Sequence, residues 1–449
     1  MQKKHSNSLA VKMAIALVLG LVCGLGTIFL RESLISGGSA QTWNTINNLL
    51  FADISAAGNE QAIGLFYIVG QLFIRALQVV IVPMVFTSII LAMIRISDSR
   101  KLGRISSKTV GFFMLTTVVG ILLASVVGYI AYSAGIFNNA SLTNLDVSTG
   151  STGSNPLMIL INAVPNNLTS ALTNNGGILA IVVSAVAIGL GINAAKEKFS
   201  VLPKLCQEIS DLITIVLSFI VNKFGPVAIF CLIIRTCAAY GVQYLKPALA
   251  YMILTVVMLL LVLFLGYPLF VWIFTRKNPL IFAKKMAKVA LFGFSTSSSA
   301  ATLPLNIKTA TDEIGIEEDI ASFVLPLGMT INMDGTAIMQ VIAALFIAGC
   351  AGYDVSFTSL LLIGVLAIVA SIGTPAAPGA GAVILFTILS GVGFVNEPAL
   401  MAYTLILAIN RPIEMLVTSL NVVGDTSCAM VVAKSEGALD DDIYNAPAK

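Results

Sequence analysis

The stretch "GFSTSSSAATLP", residues 293–304, decides the fold, because it places five hydroxyl side chains in a row, Ser295 to Ser299, inside a chain built for hydrocarbon. The 449 residues are 57% hydrophobic and only 10% charged, whereas a soluble domain carries about 25% charged residues. The composition therefore predicts an all-α membrane protein that crosses the bilayer several times. A hydroxyl run at that depth has three explanations: a packing surface between helices, an enzyme's nucleophile, or a broken helix that holds a polar ligand.

Apolar runs before this stretch predict the first membrane helices. A helix needs about 20 apolar residues to cross roughly 30 Å of hydrocarbon. Six runs come near or exceed that length: 9–30, 66–96, 109–134, 177–195, 205–242 and 247–274. The first is longer than the core of a cleaved signal peptide, about 7–15 residues, so we expect it to remain as a helix.

The placement of lysine and arginine predicts the orientation in the membrane. Basic residues gather in alternate loops: Lys3 and Lys4, Arg100 to Lys108, Lys196 and Lys198, and Arg276 and Lys277. Because cytoplasmic loops carry this excess, we expect both termini, including the tail 435–449, in the cytoplasm of a cell-membrane protein. The polar stretch 138–176 then lies outside. The net charge of +3 is too small to suggest a nucleic-acid partner.

Two later segments are apolar but interrupted at their centres. "STSSSAATLP" breaks residues 280–310 and "GTPAAPGAG" breaks residues 356–392; a long span follows each, at 320–351 and 398–432. Irregular backbone at membrane depth is tolerated only where protein or a water-filled cavity satisfies it, and paired interrupted segments indicate a transporter's binding site. Lysines flank the first segment but not the second, so one re-entrant hairpin is predicted to enter from each face.

The span 320–351 contains "TINMDGTA", in which Asn332, Asp334 and Gly335 are poor helix formers. Unwinding there would present backbone carbonyls and the Asp334 carboxylate to a hard cation. The alternative is a kinked helix in which Asp334 is protonated or hydrogen-bonded. A carboxylate inside the membrane is a functional hypothesis by default.

The last span carries a polar stripe. Its members recur at helical spacing on one face: Asn410, Glu414, Val417, Asn421 and Asp425. Lipid would not tolerate the polar members, so the stripe should face protein or a cavity. Arg411 lies one turn before Glu414, and a purely structural ion pair between them is the alternative to a functional role.

The hydroxyl run can now be interpreted. An enzyme's serine needs a base, and the histidine His5 lies in the N-terminal tail, so no catalytic residue is predicted. Ala300 and Ala301 would suit close helix packing. However, Pro304 and the matching break at 373–381 favour a re-entrant tip, whose free amides and hydroxyls hold a carboxylate.

Four stretches resemble the signature motifs of one family: "STSSSAATLP", "PLGMTINMDGTA", "GTPAAPGAGA" and "LNVVGDTSCAMVVAKSEG". The chain resembles the dicarboxylate/amino acid:cation symporters, the glutamate-transporter family, over nearly its whole length. The resemblance implies eight transmembrane helices, two re-entrant hairpins and a homotrimer embedded in membrane lipids. It also implies an elevator motion of a transport domain (247–434, with helix three at about 109–134) against a scaffold (mainly 1–134 and 177–246).

The resemblance also implies three sodium sites. The first would combine Asp425 with carbonyls of Gly328, Asn332 and Asn421. The second would use carbonyls around Thr330, Met333, Ser371, Ile372 and Thr374. The third would use Asp334 and Asn332 with Thr116 and Thr117.

Departures from the family pattern indicate the substrate. Val417 replaces the arginine of acidic-substrate members, Glu414 replaces the aspartate that holds the amino group, and Ser297 replaces an arginine of some prokaryotic members. Phe113 replaces a tyrosine near the third sodium site. Gln340 stands where proton-coupled members have glutamate, so we expect no proton coupling.

These departures predict sodium-coupled uptake of a small neutral L-amino acid of the serine, threonine or alanine type. The expected substrate-binding residues are Ser297, Ser298, Ser299 and Asn421 for the carboxylate, Glu414 and Thr418 for the amino group, and Val417, Thr336, Ala376, Ala377, Pro378 and Gly379 around the side chain. The alternative is a dicarboxylate or acidic amino acid, with Arg411 reaching the distal carboxylate. A channel or a membrane enzyme is the alternative from another class.

Overall fold

The computed structural model describes residues 3–54, 58–95, 100–138, 161, 164–173, 178–240, 245–372, 374 and 379–447. These residues are predominantly helical and contain no strand, apart from one isolated antiparallel bridge between Ile316 and Leu439. Within them, seven helices are long and apolar enough to cross a membrane. The prediction of a helical membrane protein is therefore confirmed, while eight spans, two re-entrant hairpins and an elevator remain expectations.

The first half of the chain forms a series of long helices. They are α1 Lys3–Ser36, α2 Ala40–Leu50, α3 Leu65–Arg95, α4 Arg100–Ser133, α5 Leu168–Leu172, α6 Ile178–Ala194, α7 Leu202–Phe219, α8 Gly225–Tyr240, α9 Leu245–Leu261 and α10 Tyr267–Thr275. Short π-helical turns, Ile220–Phe224 and Val262–Gly266, join α7 to α8 and α9 to α10.

The second half contains the interrupted segments. They are α11 Pro279–Thr296 and α12 Ser299–Thr309 (the first hairpin), α13 Glu318–Ile331, α14 Asp334–Ala351, α15 Phe357–Ile372 and α16 Ala380–Val392 (the second hairpin), α17 Glu397–Ile409, α18 Arg411–Glu436 and α19 Asp441–Asn445. The π turn Ala310–Ile314 extends α12. In the first hairpin the break between the two helices lies at the expected place, whereas the predicted break of the second, at 373–381, lies largely outside the described residues.

Two of these helices form the centre of the molecule. Every residue of α14 is buried, and so is α18 from Leu416 to Ala433. By contrast, α1, α4 and α9 leave most of their apolar residues uncovered, as helices facing lipid do. The polar residues of the last span therefore face protein, as predicted from their spacing.

The predicted span 398–432 is interrupted, which the sequence analysis did not anticipate. α17 ends at Ile409 and α18 begins at Arg411, with Asn410 at the junction. The physical reason is Pro412, which has no N–H to donate and whose ring crowds the carbonyl of the preceding turn. Asn410 is buried there and accepts a hydrogen bond from Tyr251 at 2.8 Å.

The C-terminal segment 437–447, expected to be a tail, packs against the base of the first hairpin. The backbone N–H of Asp440 donates to the carbonyl of Gly315 at 2.8 Å. The ammonium of Lys285 is buried and donates to three backbone carbonyls, two of them in this segment. Tyr444 is buried and donates to the carbonyl of Asn278 at 2.8 Å; burial raises the pKa of Tyr444 to about 12, so the phenol keeps its proton at neutral pH.

Candidate functional site

The first hairpin lies along the long helix α18 and is hydrogen-bonded to it through both arms. Ser419 Oγ donates to the carbonyl of Ala290 in α11 at 2.7 Å. Asn306 of α12 donates to the carbonyl of Val422 at 2.9 Å and accepts from Thr426 at 2.5 Å. These bonds cross the buried interface, so the position of the hairpin tip is set by α18.

The hydroxyl run forms the break between α11 and α12. Ser297 adopts a left-handed conformation (φ 49°), and Ser298 caps α12 by accepting a hydrogen bond from the N–H of Ala301 at 3.3 Å. Ser297 and Ser299 are buried, whereas Ser295 is exposed. The five hydroxyls are therefore not equivalent. The expectation of a broken helix at this point is confirmed.

The tip lies beside the polar stripe of α18. A Cβ added to Gly293, at the end of α11, would lie 3.1 Å from Val422 Cγ2 and 3.5 Å from the carbonyl oxygen of Thr418. The hydroxyl of Thr418 donates to the carbonyl of Glu414 at 3.0 Å. The side chain of Thr418 is thus bound within its own helix.

A second break, at Asn332 and Met333, separates α13 from α14 and confirms the predicted unwinding. The backbone N–H of Gly335, in the first turn of α14, donates to Asn421 Oδ1 at 2.8 Å. The amide of Asn421 donates in turn to Thr336 Oγ1 at 3.3 Å and to the sulfur of Met333 at 3.4 Å. Residues predicted from two separate motifs are therefore in direct contact.

Asp425 lies next to this break. Asn332 Nδ2 donates to its Oδ1 at 3.0 Å, and a Cβ on Gly328 would lie only 2.5 Å from the same oxygen. The ring of Phe113 also lies close, with its Cζ 3.0 Å from the same Cβ position. Asp425, Gly328 and Asn332, predicted for the first cation site, are thus brought together, and Asn421 lies one turn away on the same helix.

Asp334 accepts hydrogen bonds from two hydroxyl groups, and a third hydroxyl binds the nearby Asn332. Thr117 donates to its Oδ1 at 2.5 Å and Tyr267 to its Oδ2 at 2.8 Å, while Thr116 donates to Asn332 Oδ1 at 3.3 Å. The residues predicted for the third cation site are therefore adjacent. Tyr267 was missed, because a tyrosine near the middle of an apolar span has no local sequence signal that distinguishes it from a core residue.

Three residues predicted for the second cation site have hydroxyl groups, and each hydroxyl is hydrogen-bonded to a nearby backbone carbonyl. Thr330 and Ser371 donate to carbonyls of their own helices, those of Leu327 and Ile368, and Thr374 donates to the carbonyl of Ala370 in the preceding helix. Helices α13 and α15, at whose C-terminal ends these residues lie, contact each other. A cation between them would rely on backbone carbonyls, as expected. The predicted substrate residues Ala376, Ala377 and Pro378 lie outside the described residues.

The ion pair between Arg411 and Glu414 that was considered from the sequence is present. Arg411 Nη1 lies 3.3 Å from Glu414 Oε2, and the two side chains are only 10% and 11% exposed. Both line a cavity with Gly379, Asn410 and the apolar residues Phe73, Leu77, Ile229, Ala382, Val383 and Leu407. Val417, one turn further along α18, is buried as well.

Gln340 links α14 to the second hairpin. Its side chain is fully buried and donates to the carbonyl of Gly381 at 3.0 Å. Gly379, which precedes α16, has φ 88°, a left-handed conformation that favours glycine at this turn. The described residues thus place the start of α16 against α14.

The donor set suits a singly charged cation. In the described part of the chain, no group of three or more histidine, cysteine, aspartate or glutamate side chains lies close enough to hold a metal ion together. Asp334 and Asp425 are instead surrounded by neutral oxygens and amides. One carboxylate with neutral oxygens balances a single positive charge, whereas a divalent cation would normally be bound by more carboxylate oxygens.

Comparisons with known proteins show the family of the chain. A family model described as the sodium:dicarboxylate symporter family matches residues 9–435. The chain is 28% identical over 418 residues to the proton/sodium-glutamate symport protein of Bacillus caldotenax, covering 89% of this chain and 95% of that protein. It is 28% identical over 457 residues to the proton/glutamate-aspartate symporter of Escherichia coli (strain K12), with 98% and 95% covered. Excitatory amino acid transporter 3 of Mus musculus is 28% identical over 415 residues, with 81% and 78% covered. The family predicted from the four motifs is confirmed: the chain belongs to the sodium:dicarboxylate symporters, the glutamate-transporter family, and is a sodium-coupled transporter, not an enzyme.

Proposed function

We propose that this symporter carries a small neutral L-amino acid, of the serine, threonine or alanine type, together with sodium. The observation that carries the proposal is the pairing of Arg411 with Glu414 at 3.3 Å next to the apolar Val417. The guanidinium of Arg411 is already paired with the carboxylate of Glu414. Val417 stands where acidic-substrate members of the family have an arginine. A second carboxylate on the substrate would therefore meet apolar surface.

The substrate is proposed to lie between the two hairpins and α18. Its α-carboxylate would bind Ser297, Ser298, Ser299 and Asn421, and its amino group Glu414 and Thr418. Its side chain would face Val417, Thr336 and the second hairpin from Ala376 to Gly379. The bond between Thr336 and Asn421, and the position of the first hairpin beside Thr418 and Val422, support this arrangement.

Three sodium ions are proposed as co-substrates. Two would lie at Asp425 and Asp334, whose neighbours supply neutral oxygens, and the third between α13 and α15 on backbone carbonyls. The amide of Gln340, bonded to the carbonyl of Gly381, supports transport without proton coupling, since it offers no titratable group at that position. We propose a homotrimer that works by an elevator motion in the cell membrane, with both termini in the cytoplasm.

Transport of an acidic amino acid or a dicarboxylate is the second candidate. It is favoured by the relatives named above, two of which carry glutamate or aspartate in their names. It is also favoured by Arg411, whose buried Nε has no hydrogen-bond acceptor among the described residues. In this case the guanidinium would reach the distal carboxylate of the substrate.

A free-energy estimate separates the two candidates. Leaving a buried charge without its partner costs about 2–5 kcal/mol, which corresponds to roughly thirty-fold to several-thousand-fold in affinity. Neutral amino acids avoid this cost. In the neutral-substrate case, serine should therefore bind far more tightly than aspartate, and Val417→Arg should reverse the preference, because a guanidinium binds a carboxylate through two parallel hydrogen bonds.

The experiment measures serine and aspartate affinity, and uptake driven by a sodium gradient, in proteoliposomes containing the wild type, Val417→Arg or Arg411→Ala. Uptake that stops when the gradient is dissipated is expected. Val417→Lys is the matched control. It adds a positive charge without the planar guanidinium group, so its affinity for aspartate should rise less than that of Val417→Arg. Tight aspartate binding by the wild type that Arg411→Ala abolishes would establish the second candidate instead.

A further inference from the structure

The ion pair in the cavity forms a unit of opposite charges on one turn of helix. Arg411 opens α18 and Glu414 follows three residues later, so the helix holds both side chains on the same face. Nη1 and Oε2 lie 3.3 Å apart, and about nine-tenths of each side chain is buried. We propose that Arg411 and Glu414 together give the pocket zero net charge and thereby select substrates of zero net charge; the inference rests on the proposed function, which places the substrate here.

The charge of the cavity is set by this pair. Among the described residues that line it, every other side chain is uncharged: Phe73, Leu77, Ile229, Gly379, Ala382, Val383, Leu407 and Asn410. The sequence just before Gly379, "GTPAAP" at 373–378, contains no ionisable side chain. The described lining of the cavity therefore has a net charge of zero, and the net charge of the occupied cavity equals that of the ligand.

Charge balance matters here because the pair is shielded from water. Opposite charges in such a place offset each other's loss of hydration, whereas an additional unpaired charge has no such compensation. A zwitterionic amino acid adds one positive and one negative charge and leaves the sum at zero. An acidic amino acid adds one negative charge in excess, and an amine without a carboxylate adds one positive charge in excess.

This gives Arg411 a role in specificity that does not require it to contact the substrate. Glu414 alone would attract any ammonium, including that of an amine without a carboxylate. With Arg411 beside it, such an amine brings a second cation close to the guanidinium, and like charges at that separation repel. Arg411 is therefore expected to exclude amines, while Glu414 is expected to exclude anions.

The test uses three probes of nearly equal shape: serine, serinamide (net positive, with an amide in place of the carboxylate) and glycerate (net negative, with a hydroxyl in place of the ammonium). Their affinities are measured at saturating sodium for the purified wild type, Arg411→Gln, Glu414→Gln and the double variant. Arg411→Gln should raise the affinity for serinamide, relative to the affinity for serine, at least tenfold. Glu414→Gln should raise the affinity for glycerate, relative to the affinity for serine, at least tenfold.

The double variant decides the matter, because it restores zero charge without restoring either group. It is expected to bind serine at least tenfold more tightly than either single variant, a strongly non-additive result. If Glu414 acts only by direct contact with the ammonium, the double variant will bind serine no better than Glu414→Gln, and the inference is overturned. Tight aspartate binding by the wild type would overturn both the inference and the proposed function.

Two controls separate charge balance from misfolding. Arg235→Gln removes another buried arginine, which lies 3.1 Å from Glu397 and outside this cavity, and it should leave the affinity ratios of the three probes unchanged. An equal change of the ratios in Arg235→Gln would overturn the inference. Arg411→Lys keeps the charge and should keep the wild-type ratios; should Arg411→Gln fail to fold, Glu414→Gln with glycerate still tests the inference.

Discussion

A single methyl group on Gly328 would test the cation site proposed at Asp425. A Cβ at this position would lie 2.5 Å from Asp425 Oδ1, 2.8 Å from Asp425 Cγ and 3.0 Å from Phe113 Cζ. Favourable contacts between non-bonded atoms lie at about 3.5–4.0 Å, so the carboxylate has to shift by roughly 1 Å. Asp425 and Phe113 are both buried, so neither neighbour can swing out of the way into solvent.

Such a shift displaces the carboxylate from the hydrogen bond that Asn332 donates at 3.0 Å. Forcing an extra carbon into a packed interior costs about 1–3 kcal/mol. If this cost falls on the cation-bound state, Gly328→Ala should raise the sodium concentration needed for half-maximal stabilisation roughly fivefold to a hundredfold. The sodium-dependent rise of the unfolding temperature of the purified protein measures this without reference to the substrate.

Gly111→Ala is the matched control, since it adds the same methyl group in α4, where a Cβ would meet no described atom within 4 Å. Its sodium response should equal that of the wild type. If Gly328→Ala folds and responds to sodium as the wild type does, the carboxylate of Asp425 does not lie at a cation site, and the reasoning from its contacts is wrong.

Three further variants test other contacts. Tyr267→Phe removes a donor to Asp334 and should cost about 1.5–3 kcal/mol of stability in sodium-free buffer, but less in saturating sodium; equal losses in thermal unfolding would argue against a cation at Asp334. Asp425→Asn keeps the volume but removes the charge, so the sodium dependence of substrate binding should be lost while oligomers persist in size-exclusion chromatography. Lys285→Met should expose the C-terminal segment to limited proteolysis, whereas Lys284→Met, at the exposed neighbour, should not.

The breaks in the fold could be predicted because local chemistry causes them. Asn332 and Gly335 disfavour helix wherever they stand, and they mark the end of α13 and the start of α14. Ser298 caps a helix through its own side chain, so the tip of the first hairpin can also be predicted from neighbouring residues. Helical spacing likewise predicted which residues of α18 share a buried face.

The features that the sequence analysis missed depend on residues far apart in the chain. Tyr267 gains its role from Asp334, 67 residues later, and neither residue has a neighbour that signals the contact. The C-terminal segment has a polar composition, and its docking depends on Lys285 and Gly315. Pro412 was visible in the sequence, but the hydropathy of the span around it obscured the end of α17.

The unwound segment between α13 and α14 connects the two proposed kinds of site. Asn332 donates to Asp425 and accepts from Thr116, whereas Gly335, three residues later, donates to Asn421. Because only two residues separate Asn332 from Gly335, we expect a cation that displaces Asn332 to shift the N–H of Gly335 and, through it, the side chain of Asn421, which is proposed to hold the substrate carboxylate. When two ligands favour the same conformation of one short segment, each raises the affinity for the other without direct contact.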